Sequence, residues 1–302
     1  MSGTLEDRIA ARLATPPRPE VAAFAGHLAE AAGARAALFY GSNLRTGELE
    51  GVLDFYLLLP GEQVERIWPR VSYHEWETGG TVLRAKVATM ALATFERACR
   101  GESRDTTIWT RFVQPSALVW QADDAVAARM VAALAQAART AARLAAALGL
   151  ARGREQDYWR ALFRATYRAE FRVERAGREN TILEINAVHF DGLLPLALEA
   201  DGIAFAREGE TITPRISPVE RAAILRWWRV RQRLGKPLNL LRLVKATTTF
   251  EGAARYAAWK IERHTGVPVK LTPWRERHPV LAAPGVLWRV WRARRAQRAT
   301  AS

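Results

Sequence analysis

The run VLDFYLLL, residues 52–59, limits the fold more than any other segment. Near-continuous apolar side chains are the signature of a strand buried on both faces. One acid, Asp54, stands in the middle of it. An ionised carboxylate in such a strand is costly unless it is paired, hydrogen-bonded or bound to a metal, so Asp54 must have a partner. The preceding apolar stretch RAALFY, 35–40, reads as a second strand and is stopped by Gly41-Ser42.

A chain of 302 residues is enough for one large domain or two ordinary ones. Hydrophobic content of 49% with 25% charged residues excludes general disorder, and no apolar stretch nears the ~20 residues of a membrane-spanning helix. The opening MSGTLEDRIAARLA lacks the apolar centre of a secretory signal, which makes the cytoplasm the expected location. The single Cys99 rules out an intramolecular disulfide and reads as core filler. The net charge of +14 rests on Arg, since only five of 45 cationic residues are Lys. Guanidinium groups favour bidentate contact with phosphate, so a polyanionic partner is expected: nucleic acid, an anionic membrane, or a phosphorylated small molecule.

Along the chain, LEDRIAARLA and PEVAAFAGHLAEAAG read as helices split by TPPRP, with Gly33 as a stop. GTVLRAKVATM, 80–90, reads as the third strand, followed by the helical ALATFERACR. Asp123-Asp124 then opens a long Ala-rich helix closed by Gly149, and a domain boundary is placed there. GIAFAREGETITPRIS, 202–217, has period-two character on both sides of Glu208-Gly209 and predicts a hairpin. Ser217-Pro218-Val219-Glu220 is a capping box that starts a helix expected to end at Gly235. Helices with one hairpin suggest a winged-helix arrangement. The expected fold is α+β: a nucleotidyltransferase-type mixed sheet with flanking helices over 1–122, a winged-helix-like domain over 123–245, and a C-terminal helical region with a basic tail over 246–302.

A Gly-Ser turn after one strand with an acid on the next is how nucleotidyltransferases handle a nucleoside triphosphate. Glycine lets backbone N–H groups approach phosphates, the serine hydroxyl adds a donor, and the acid holds Mg²⁺. The alternative is an ordinary turn beside a salt-bridged strand Asp. Side chains alternate along a strand, so a second metal-binding acid would stand at 56, where the chain has Tyr56. A phenol is a poor Mg²⁺ ligand, and another acid must come from elsewhere in the fold unless one suffices.

Ordered blocks give the chain a resemblance to the mitochondrial-type phosphatidate cytidylyltransferases, the translocator assembly and maintenance family. Tyr40-Gly41-Ser42 and Leu53-Asp54-Phe55 match its first two motifs, and Lys86 in LRAKVAT matches the lysine of its third strand motif. WTRFVQP, Trp109 to Pro115, follows its Gly-Arg-Leu-x-Lys-Pro block with Arg111 and Pro115 kept and Thr110 and Gln114 replacing Gly and Lys. YRAEFR, Tyr167 to Arg172, matches Tyr-x-x-Asp-x-Arg with Glu170 for Asp, and LRLVKATTTFEG, 241–252, echoes a later segment.

The resemblance implies transfer of CMP from CTP to phosphatidic acid, with CDP-diacylglycerol and pyrophosphate as products. It implies Asp54 and Glu170 as Mg²⁺ ligands, Lys86 with Gly41, Ser42 and Arg111 on the nucleotide, and Arg172 on the acceptor phosphate, to which Arg168, its neighbour in an arginine stripe, is also assigned. Glu170 is equally placed to be an ion-pair partner of a neighbouring Arg. No general base is required, because a phosphomonoester is already an anion. Another lipid phosphate as acceptor, sphingoid or isoprenoid, or a non-catalytic nucleotide-binding scaffold associated with a membrane or with nucleic acid are the competing readings.

Arg160, Arg164, Arg168 and Arg172 recur every four residues and make one positive helical stripe. Acidic matter must lie along it, either a bound anion or neighbouring Asp and Glu. In GVLWRVWRARRAQR, Leu287, Val290 and Trp291 fall near one side of a helix, with Arg289, Arg292 and Arg295 elsewhere. That is an interfacial pattern, and residues 284–298 are expected to anchor the chain peripherally on an anionic membrane. No recognised RNA- or DNA-binding motif is present, so nucleic acid is not an expected partner. Trp227-Trp228 reads as packing, and the five His, including His264 and His278, as structural.

Overall fold

A computed structural model describes residues 3–170, 178–277 and 279–300. The first half runs α1 (Leu5–Leu13), α2 (Pro19–Ala31), β1 (Ala36–Tyr40), α3 (Ser42–Thr46), β2 (Leu53–Leu59), β3 (Arg70–Thr78), β4 (Thr81–Ala91), α4 (Leu92–Cys99), α5 (Thr107–Phe112), β5 (Ser116–Gln121) and α6 (Asp124–Leu148). The second half continues with β6 (Gly153–Arg154), α7 (Glu155–Ala169), α8 (Arg178–Ile185), α9 (Ala187–Phe190), α10 (Leu193–Ala200), β7 (Phe205–Glu208) and β8 (Thr211–Pro214). The long α11 (Pro218–Thr249), α12 (Ala253–Thr265), α13 (Pro273–Arg277) and α14 (Pro279–Thr300) complete it. The fold is α+β.

The five-stranded sheet has the order β3-β4-β2-β1-β5 and is mixed: β2 and β4 are parallel, the other neighbours antiparallel. Its two faces explain the apolar run. Leu53, Phe55 and Leu57 join Phe39 and Val87 against Phe24 and Leu28 of α2, while Tyr56 and Leu58 join Leu38 and Met90 against Phe95, Phe112 and Met130. Strand β2 is therefore covered on both sides, and Asp54 lies on the Tyr56 face.

Alanine makes α6 a close-packed hub. Ala137, Ala138, Ala141, Ala142 and Ala145 are all buried, and α1, α4, α5, α7, α10 and α11 pack on this one helix. The core thus runs unbroken from Leu5 through α6 to Ile212 and Trp228, across the expected boundary at 122/123. The expected hairpin is β7–β8, which joins β6 in a three-stranded sheet. Cys99 is buried, as is Trp228, and Trp227 donates to the Gly101 carbonyl beside Trp109.

Two sequence expectations are corrected. The segment 81–91 is the fourth strand, because RVSYHEWET forms β3 and pairs with it antiparallel from Arg70 to Thr78. The Ser217 capping box is present, but its helix passes through Gly235 and reaches Thr249. Gly235 is a point of close approach: a Cβ there would come 2.3 Å from the Ala169 carbonyl oxygen at the end of α7.

Candidate nucleotide site

Register across the sheet assembles the site. Tyr40 of β1 stands opposite Asp54 of β2, Asp54 opposite Lys86 of β4, and Lys86 opposite Tyr73 of β3. Directly opposed residues share a face, so a tyrosine, an acid, a lysine and a tyrosine form one row. The chain then turns sharply at Gly41 (φ 95°, ψ −161°), conformational space reserved for glycine. A Cβ there would also lie 3.1 Å from Asp54 Oδ2. Gly41→Ala is therefore expected to cost roughly 1–3 kcal/mol of stability and to displace the Asp54 carboxylate, a change that thermal unfolding measures.

Burial raises the carboxyl pKa of Asp54, with Lys86 and Arg111 partly offsetting it, and lowers that of Lys86, with Asp54 partly offsetting it. Desolvation thus outweighs the attraction between these neighbours, a kind of perturbation that clusters at functional sites. The loop beyond Gly41 is held by the buried Asn43, whose amide donates to the Glu48 and Glu50 carbonyls at 3.0 and 2.8 Å. Ser42 is exposed at the first position of α3.

Arg111 comes from α5, where Trp109 and Phe112 turn into the core and leave the guanidinium on the sheet side. It donates to the Tyr40 hydroxyl at 2.9 Å and lies over the rings of Tyr40 (4.9 Å) and Tyr56 (6.0 Å). This is the structural role of Tyr56. Instead of a second carboxylate, position 56 provides an aromatic face packed on Phe95 and Phe112 that supports a cation.

Two cavities meet at the Tyr40–Arg111 pair. One, of about 190 Å³, is lined by Tyr40, Tyr56, Lys86 and Arg111 from the sheet side and by Asn239, Arg242, Lys245 and Thr249 of α11. The other, of about 230 Å³, is lined by Tyr40, Gly41, Ser42, Arg45, Arg111, Gln114, Tyr167 and Asn186 among others. Among the described residues no acid lines either one. Both are cation-rimmed, and Arg111 borders both.

Arg242 and Lys245 are site residues that the motifs did not single out, although LRLVKATTTFEG contains both. Arg242 is 19% exposed and is fixed by Asp105 at 2.7 Å, by the Trp68 carbonyl at 2.9 Å and by stacking over Trp68. Lys245 donates to the Ile67 carbonyl. Just past this helix, Tyr73 N–H donates to the Glu251 carbonyl at 2.8 Å, which ties the segment to the sheet edge. The available signal was the spacing Arg242-x-x-Lys245, which places two cations on one helical face.

The expected residues thus divide. Gly41, Asp54, Lys86 and Arg111 converge, and Ser42 lines the second cavity. Glu170 is 5% exposed at the end of α7, accepts from Thr106 Oγ1 at 3.5 Å, and lies with Asp54 among the acids whose charge acts on Arg111. Arg168 is exposed and lines neither cavity; Arg172 and His278 lie outside the described residues. The stripe is partly neutralised within the fold, since Arg160 pairs with Asp157 at 2.6 Å and Arg164 with Glu179 at 3.3 Å. In the C-terminal helix, Val290 is buried while Trp288 and Trp291 are each 57% exposed, so Val290 and Trp291 do not share one side. Leu287 and Arg295 lie outside the described side chains.

For Mg²⁺, the donor set is sparse: the described residues hold no cluster of three or more His, Cys, Asp or Glu able to take a metal. One carboxylate completed by substrate phosphates and water is an ordinary Mg²⁺ arrangement, and Asp54 is the candidate for it, beside Gly41 and opposite Lys86, although it lines neither cavity. Comparison with protein-family models finds no match for the chain, and none of the curated proteins matches it.

Proposed function

We propose that the protein is a nucleotidyltransferase that moves CMP from CTP to a phospholipid phosphate, releasing pyrophosphate and a CDP-lipid of the CDP-diacylglycerol type. The observation that carries this reading is the placement of Arg111 between two acid-free, cation-rimmed cavities beside Asp54. Neither cavity alone reaches the ~300 Å³ at which small-molecule pockets begin, but together they offer two phosphate-binding compartments with one shared cation. In the reaction an acceptor phosphate oxygen forms a bond to the α-phosphorus of CTP while the bond from that phosphorus to the bridging oxygen of pyrophosphate breaks. Negative charge gathers on the pentavalent centre and on the leaving group.

Lys86, Arg242 and Lys245 line one compartment and Arg45 the other, which matches that demand. Arg111 stabilises the charge that passes between them. Mg²⁺ held on Asp54, with Glu170 as the expected second carboxylate, supplies Lewis-acid polarisation of the nucleotide phosphates when bound. Glu170 has its own partner in Thr106, so the reading rests on Asp54 first. In this proposal the sheet is a nucleotidyltransferase core. The order helix, strand, helices, strand, strand from α6 to β8 supports reading that part as winged-helix-like. The protein works at the inner face of a membrane, with residues 284–298 as a peripheral anchor. CTP as the nucleotide and Arg172 as an acceptor contact follow the family resemblance, whereas Arg168 lines neither compartment.

A nucleotide-binding scaffold without turnover is the second reading, favoured by Tyr56 standing packed in the core where a metal-binding acid is otherwise expected. Equilibrium binding of CTP with Mg²⁺ tests what the two readings share. Arg111→Lys loses the planar contact to Tyr40 and is expected to weaken CTP binding roughly tenfold or more. Equal affinity of the variant and the unaltered protein, or no nucleotide binding by either, removes both readings.

A further inference from the structure

The second half of α11 is amphipathic in the reverse sense for a helix in water. Arg231, Gly235, Asn239 and Arg242 recur every three or four residues on its inner side, where Arg231 donates to the Gly101 carbonyl and Arg242 reaches the first cavity. Its outer side carries Leu240, Leu241, Leu243 and Val244, exposed by 50–59%. A surface helix ordinarily turns its apolar stripe to the core, and a contiguous exposed apolar cluster marks an interaction surface.

The same outer strip, followed toward the N-terminus at intervals of three or four residues, passes through Lys236, Arg233, Arg229 and Arg226, all exposed. From residue 221 to 250 the chain has eight Lys and Arg and no Asp or Glu. The strip is thus cationic over its first turns and apolar over the next two. A second copy of this +14 chain brings like charge to the cationic part. An anionic bilayer complements both parts, with headgroup charge for the arginines and an acyl boundary for the leucines.

We propose that the outer strip of α11, from Arg226 to Val244, docks the protein on an anionic lipid bilayer. Docking there needs no catalysis. It does hold the lipid surface one helix diameter, about 10 Å, from the cavity that Arg242 and Lys245 line from the opposite side of the same turns. This surface is distinct from the C-terminal tail.

Flotation of the full chain with vesicles of phosphatidylcholine, with and without phosphatidylglycerol, tests the assignment. The unaltered protein is expected to float only with phosphatidylglycerol present. Combined Leu240→Ser, Leu241→Ser and Leu243→Ser is expected to lower binding roughly tenfold or more. Combined Arg226→Gln, Arg229→Gln and Arg233→Gln is expected to lower binding and flatten its salt dependence. All six side chains are exposed, so both variants should keep the thermal unfolding of the parent, which is measured alongside. Absence of flotation by the parent, or full binding by both variants, overturns the proposal. Unchanged vesicle binding by the leucine variant with loss of a concentration-dependent dimer in sedimentation would reassign the strip to a second copy. The readout is binding, so failure of nucleotidyl transfer leaves this test intact.

Discussion

Asp54→Asn is expected to lower nucleotidyl transfer roughly a thousandfold while leaving the metal-free fold at least as stable as the parent. The two halves of this expectation share one cause. Burial raises the Asp54 pKa despite Lys86 and Arg111, so the folded protein holds the carboxyl proton more tightly than the unfolded chain does. Between the ordinary carboxylate range and the raised folded value, the native state binds more protons and stability falls as pH rises. Asparagine keeps the shape and removes that loss, so the stability difference should favour the variant at neutral pH and vanish in acid. Urea unfolding at several pH values, paired with turnover, checks both halves. A variant that is much less stable at neutral pH would show Asp54 to be a structural ion-pair member instead.

Gly235→Ala is the substitution with the largest expected structural effect. Its Cβ would lie 2.3 Å from the Ala169 carbonyl oxygen and 3.0 Å from the carbonyl carbon, both main-chain atoms that cannot swing aside. The added methyl must separate α11 from α7, at a cost of about 3 kcal/mol. In a chain of this size the melting temperature should drop by about 5 °C. Because α11 also presents Asn239, Arg242 and Lys245 to the first cavity, nucleotide affinity should fall along with stability. Loss of stability with affinity unchanged would mean that the cavity does not depend on this helix crossing.

Local chemistry that leaves a periodic or capping trace was legible in the sequence. Strands β1 and β2 could be read because both faces are covered, and the β7–β8 hairpin because Glu208-Gly209 interrupts two alternating runs. The row through Asp54 and Lys86 follows from strand alternation once the two strands are placed side by side. Strand β3 was not legible. It is an edge strand, and RVSYHEWET mixes charge with aromatics in a way that marks no boundary. Gly235 read as a stop because a glycine at a helix end and one at a helix crossing look alike in one dimension. Arg242 reaches Asp105 across more than a hundred residues, a contact set by how α11 folds back over the sheet rather than by any local pattern. The support that Tyr56 gives Arg111 has the same origin, since it needs α5 laid against β2.

The central claim is most directly tested by pyrophosphate release from CTP with Mg²⁺ and phosphatidic acid in mixed micelles, with other nucleotides and lipid phosphates run alongside and Asp54→Asn as control. Release that requires CTP, a lipid phosphate and Asp54 is the predicted result. No release with any pair, from a protein that still binds CTP, would contradict transfer and leave the nucleotide-binding scaffold in its place.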